Sequence, residues 1–141
     1  MSTPARKLKR LQRLERMREI AKRQAATEAA EAESTLARLL RLSSHAEGLV
    51  GQYRPQAGAS DGASHRHHQA FLRELANLQS QTASDATRAQ TVADARQSDL
   101  AAAERRRAVV SDAARRLERA EQRREAGTAL AARRGFGTDV E

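Results

Sequence analysis

The chain has 141 residues, a net charge of +8 and a hydrophobic fraction of 39%, with 30 alanines among those hydrophobic residues, no cysteine, no tryptophan, one tyrosine and two phenylalanines. Leu, Ile, Val and Phe together number 22, below the level of roughly 20% of a chain that marks a sizeable apolar core. This inventory excludes a thick globular core, a disulfide framework and a thiolate metal site. No run approaches the roughly 18–20 apolar residues that cross a bilayer, and no apolar stretch follows the basic N-terminus, so neither a membrane span nor a secretory signal is expected.

A thin core remains possible. Ala and Arg lose little rotamer freedom in a helix, and a chain rich in Ala, Glu, Leu and Arg with apolar positions three and four apart is the signature of long helices or coiled coil. Disorder is the competing reading of the same composition.

Ser2-Thr3-Pro4 opens a helix, with a hydroxyl at the cap and proline where its missing N–H costs nothing. Leu8, Leu11, Leu14, Met17 and Ile20 follow, each three apart. A helix turns about 100° per residue, so this spacing predicts a spiral around the helix and not one face. Ala21, Ala25, Ala29 and Ala32 continue weakly, with successive fours that predict a stutter. From Leu36 the stripe is regular through Leu39, Ser43, Ala46, Val50 and Tyr53.

The stretch 51–64 holds Pro55, Gly58 and Gly62 and cannot continue a helix cleanly. Helix 1 is therefore placed at about 4–52, a loop at about 53–66 and helix 2 at about 67–126, with a frayed tail over 127–141. Phe71, Leu72, Leu75, Leu78, Thr82, Ala86, Ala89 and Ala93 carry the first stripe of helix 2, and Leu100, Ala103, Val110, Ala114 and Leu117 carry the rest. The fold class expected is all-α: one long antiparallel two-helix coiled-coil hairpin over residues 1–141.

Nothing in the sequence supports catalysis. There is no phosphate-binding glycine loop, no nucleophile elbow and no His-Glu metal helix. Ser43, Ser44 and His45 are adjacent but lack a third group and a pocket. His65 and His68 share a helix face at metal-pair spacing, yet Arg66 repels a cation and no carboxylate stands on that turn. A solvated helix start is expected there; no catalytic residue, cofactor or metal ligand is assigned.

The charge pattern carries the functional signal. Residues 1–23 hold nine Lys/Arg against Glu15 and Glu19, and residues 105–134 hold ten Arg against Asp112, Glu118, Glu121 and Glu125. Folding at the 51–64 break brings the two basic ends together as one pole. Such a pole suits an acidic protein surface, because guanidinium pairs carboxylates bidentately. Nucleic acid is the rival partner, although no aromatic stacking residue or base-reading motif stands near the basic ends. The blocks Arg105-Arg106-Arg107, Arg115-Arg116 and Arg123-Arg124 point around the helix, which favours a surrounding surface over a flat one.

The opening Leu8-Lys-Arg-Leu-Gln-Arg-Leu-Glu-Arg-Met-Arg-Glu-Ile20, the mid-chain Tyr53, the Gly/Pro break and Phe71-Leu72-Arg-Glu-Leu75 with Gln79 or Gln81 downstream resemble the flagellar type III export protein family FliJ and its injectisome stalk relatives. The Arg/Ala dominance, the His-rich loop exit and the Gly-Thr-Asp-Val-Glu end depart from that pattern.

The resemblance implies a hairpin similar to the stalk subunit of rotary ATPases, non-catalytic, cytoplasmic and peripheral to the inner face of the cell membrane. Its joined termini would engage a hexameric export ATPase through Arg6, Lys7, Arg10, Arg13, Arg115, Arg116, Arg119 and Arg123. Phe71, Leu75 and Leu78 would face the membrane export gate, coupling the ATPase to flagellar protein export. The bland reading of those three is coiled-coil core. Phe71, Leu72 and Leu75 cannot all face a narrow seam, so one of them is expected to be exposed. A basic coiled coil on nucleic acid and a homodimeric structural spacer are the alternative functions.

Overall fold

The computed structural model describes residues 3–53 and 61–136. It is all-α: α1 (Pro4–Tyr53) and α2 (Gly62–Phe136) pack against each other as an antiparallel coiled-coil hairpin. The chain divides into two compact units, residues 1–25 with 100–141 and residues 26–99.

Both helices begin at side-chain caps. Thr3 Oγ1 accepts from the Arg6 N–H at 3.4 Å, and Pro4 takes the first helical position. Asp61 Oδ1 accepts from the Ser64 N–H at 2.6 Å, and the Asp61 carbonyl accepts from His65 N–H at 3.1 Å. Asp61 is thus the N-cap of α2, and the helix starts at Gly62, where the sequence predicts loop to about 66. Residues 54–60 of that predicted loop lie outside the described residues. The far end differs too. α2 passes through Gly127 without a left-handed residue and runs to Phe136, where a frayed tail is expected from 127; residues 137–141 of that expected tail lie outside the described residues. One glycine costs a helix only about 1 kcal/mol against alanine, and Ala- and Arg-rich turns flank it on both sides.

In the unit formed by residues 26–99, the inward positions of α1 are Ala29, Ala32, Leu36, Leu39, Ser43, Ala46 and Val50. Those of α2 are His68, Leu72, Leu75, Gln79, Thr82, Ala86, Ala89 and Ala93. Both sets alternate in fours and threes, the repeat of a left-handed coiled coil. Antiparallel pairing is fixed by Tyr53 against Phe71 and by Glu28 against Arg96, 3.6 Å apart. The core is thin and alanine-rich: Ala29, Ala46, Ala86 and Ala93 are buried beside Leu36 and Leu75. The buried Thr82 hydroxyl donates to the Leu78 and Gln79 carbonyls of its own helix, so its burial leaves no polar atom unpaired.

In the other unit, the inward positions are Leu8, Leu11, Glu15, Arg18, Lys22 and Ala25 on α1, with Leu100, Ala103, Arg107, Val110, Ala114, Leu117 and Glu121 on α2. This corrects the stutter read from the sequence, while the spiral of Leu8 to Ile20 is what the helix shows: Leu8, Leu11 and Leu14 are half-buried and Met17 and Ile20 are exposed. The four-three alternation continues unbroken through charged residues: Met17 and Ile20 turn outward, and Ala21 is exposed. Arginine and lysine hold these places because their methylene stems cover the partner helix while the charged heads lie at the edge. Glu19, beside this seam, meets Arg107: Oε2 and Nε are 2.6 Å apart, both closed to solvent and without another partner.

Candidate partner-binding site

Two surfaces match the residues singled out by charge and pattern. In the unit holding both chain ends, Arg6, Lys7, Arg10, Arg13, Arg115, Arg116, Arg119 and Arg123 are all exposed. The unit gathers 19 Lys/Arg against 9 Asp/Glu, whereas residues 26–99 hold 7 against 9. The ion pair of Glu19 with Arg107 sets Arg10 level with Arg116, so the two basic segments lie side by side. They do not form one face. Arg6, Arg10 and Arg13 lie on the side of α1 turned away from its seam, and Arg116, Arg119 and Arg123 on the corresponding side of α2. The latter three line an open groove with Gln122 and Ala126.

Glu15 and Glu19, the acidic residues of the first 25, are both withdrawn from the outer side of α1. Glu15 sits in the seam, and Glu19 is held between Arg107 and Arg23, the latter at 3.3 Å. Burial acts to raise the Glu19 carboxyl, but Lys22, Arg107 and Arg23 outweigh it and hold the group below its ordinary value.

The second surface lies in the other unit. Leu75 is 7% exposed and belongs to the seam, while Phe71 and Leu78 are each 44% exposed. The proposed gate-facing set therefore divides: a residue packed into the helix interface is withheld from any partner, which leaves Phe71 and Leu78. Seven residues apart, they occupy one flank of α2. The Phe71 ring is fixed edge-to-face against Tyr53, with centroids 5.2 Å apart and planes at 74°. Such pairs contribute about 0.5–1.5 kcal/mol beyond area burial. Leu42, also exposed, holds the equivalent flank position on α1, immediately before seam residue Ser43.

Sequence pattern alone did not place Tyr53 against Phe71, nor Glu15, Arg18 and Lys22 in the seam. The signal for the second was present, since Glu15, Arg18 and Lys22 continue the Leu8-Leu11 spacing. It is hidden because charged residues do not register as core.

Among the described residues no three His, Cys, Asp or Glu side chains come together as a metal site. No described helix is long and apolar enough to cross a membrane. No family model, curated protein or solved structure matches the chain.

Proposed function

We propose that this chain is a non-catalytic stalk component of a flagellar type III export apparatus, as its resemblance to the FliJ family implies, linking the export ATPase to the membrane export gate. The observation that carries the reading is the gathering of both basic segments into one compact unit with arginines on two opposite sides. A ring that surrounds the stalk can contact both sides at once, which a flat acidic surface cannot. Phe71 and Leu78 supply a second, aromatic-bearing contact in the other unit, suited to the gate protein. In this role the protein works in the cytoplasm at the inner face of the membrane and needs no cofactor.

The test is capture of the export ATPase by the full chain at low and high salt, with wild type beside Arg115→Glu/Arg119→Glu/Arg123→Glu. The reading predicts capture by wild type, weakened by salt and lost on charge reversal. Capture unaffected by reversal contradicts it. Material released by nuclease, with a steep salt dependence on DNA or RNA, would instead assign the arginines to nucleic acid.

A further inference from the structure

The outer side of α1 carries a second stripe with coiled-coil spacing. Arg6, Arg10, Arg13, Met17 and Ile20 follow one another at intervals of four, three, four and three, opposite the seam formed by Leu8, Leu11, Glu15, Arg18 and Lys22. The stripe is about 21 Å long at 1.5 Å per residue. Met17 and Ile20 are 62% and 65% exposed, more than Phe71 or Leu78. Among the described residues the side chains of Arg6, Arg10 and Arg13 form no ion pair. No carboxylate interrupts the stripe, because Glu15 faces the seam and Glu19 is engaged by Arg107.

From this we infer that the outer side of α1 is a docking seam for one amphipathic helix of a partner protein. That helix places carboxylates against Arg6, Arg10 and Arg13 and apolar side chains against Met17 and Ile20.

Three features choose this occupant. Four-three spacing is what one helix presents to another in a coiled coil, and it is wasted on a disordered acidic tail. Arginines without internal partners, on a side free of carboxylates, select an acidic surface and reject a basic one. Two adjacent large apolar residues at one end of the stripe set the register, which charge alone does not. Nucleic acid has no use for Met17 and Ile20, since neither offers a ring for base stacking. A bilayer surface requires a wider apolar face than two residues make. The inference rests on reading the basic pole as a protein-contact surface, and it adds the shape and chemistry of what meets α1.

The experiment is fluorescence anisotropy on the full chain with a fluorescein-labelled designed helix of about 21 residues. The peptide carries leucines at two successive heptad positions and glutamates along the rest of the same stripe. A scrambled peptide of identical composition and a single-stranded DNA oligonucleotide serve as the other probes. The designed helix is expected to bind at least about tenfold tighter than the scramble. Met17→Ser/Ile20→Ser, both exposed and outside the seam, should erase that difference while leaving binding of the scramble unchanged. Circular dichroism confirms that the variant keeps its helices.

Equal binding of the designed and scrambled peptides, or of wild type and the Met17→Ser/Ile20→Ser variant, overturns the inference. So does tighter binding of the oligonucleotide than of the designed helix. The export reading fails separately: discrimination between the peptides without capture of the export ATPase supports the docking seam and removes the export role. Should the ATPase remain the captured partner while the peptides bind alike, the docking seam is overturned and the export role stands.

Discussion

Leu75 and its neighbours show how one helical turn separates structure from recognition. Leu75 packs in the seam while Phe71 and Leu78 lie on the flank. Truncating Leu75 to alanine removes buried volume from an interface already built of alanines, and should cost about 2–3 kcal/mol. Leu78→Ala removes a partly exposed side chain and should cost under about 1 kcal/mol, and Phe71→Ala somewhat more, about 1–2 kcal/mol, because it also loses the ring pair with Tyr53. Urea unfolding followed by circular dichroism separates the two classes; equal losses would show that Phe71 and Leu78 belong to the core.

Glu19 gives a pH prediction at the same scale. Its folded-state carboxyl titrates below its ordinary value because Lys22, Arg107 and Arg23 outweigh the effect of burial. A depressed carboxylate stabilises the fold above its unfolded pKa, and that contribution is lost as pH falls through the folded pKa. Thermal melts should therefore show wild type losing stability on acidification through this window, and Glu19→Gln losing less. Parallel curves for the two proteins would mean that Glu19 is not linked to folding.

At the scale of the helices, the seam changes character along α1. Leu36 and the alanines near it are buried, whereas Glu15, Arg18 and Lys22 occupy the equivalent places nearer the N-terminus. The Nε of Arg18 is closed to solvent without a hydrogen-bond partner, so its desolvation is uncompensated. Arg18→Leu should accordingly stabilise the protein by about 1 kcal/mol, read as a higher midpoint in urea; a lower midpoint would mean that the charged seam is well satisfied. Asp61→Ala should fray the start of α2, seen as faster amide exchange near Ser64 and His65, whose N–H groups bond to Asp61.

The helices also show which elements a sequence declares. The α2 stripe was legible at Leu72, Leu75, Thr82, Ala86, Ala89, Ala93, Leu100, Ala103, Val110, Ala114 and Leu117, where apolar and small residues recur. Gln79 and Arg107 hold inward places that polar side chains concealed, and Phe71 and Leu78 lie outside the stripe. The N-terminal seam of α1 was not legible, since the charged residues Glu15, Arg18 and Lys22 hold its inward places. The start of α2 was hidden for another reason: Asp61 is a strong cap, but it stands among glycine, serine and alanine that read equally well as loop. Of the candidate site, the basic residues were legible from composition. The division of Phe71 and Leu78 from Leu75 required the packing.

Taken as a whole molecule, the chain concentrates its positive charge in one compact unit and its exposed aromatic pair, Tyr53 with Phe71, in the other. Separate surfaces of different chemistry suit a protein that contacts two partners, and a thin alanine-rich seam suits one whose stability is supplemented by them. The most direct measurement is a quantitative pull-down from native cell extract with the full chain in three forms: wild type, Phe71→Ala/Leu78→Ala, and Arg115→Glu/Arg119→Glu/Arg123→Glu. The account predicts that wild type recovers an export ATPase and an export gate protein, that the first variant loses the gate protein alone, and that the second loses the ATPase alone. Loss of both partners in either variant, or nuclease-sensitive recovery indifferent to Phe71 and Leu78, would contradict it.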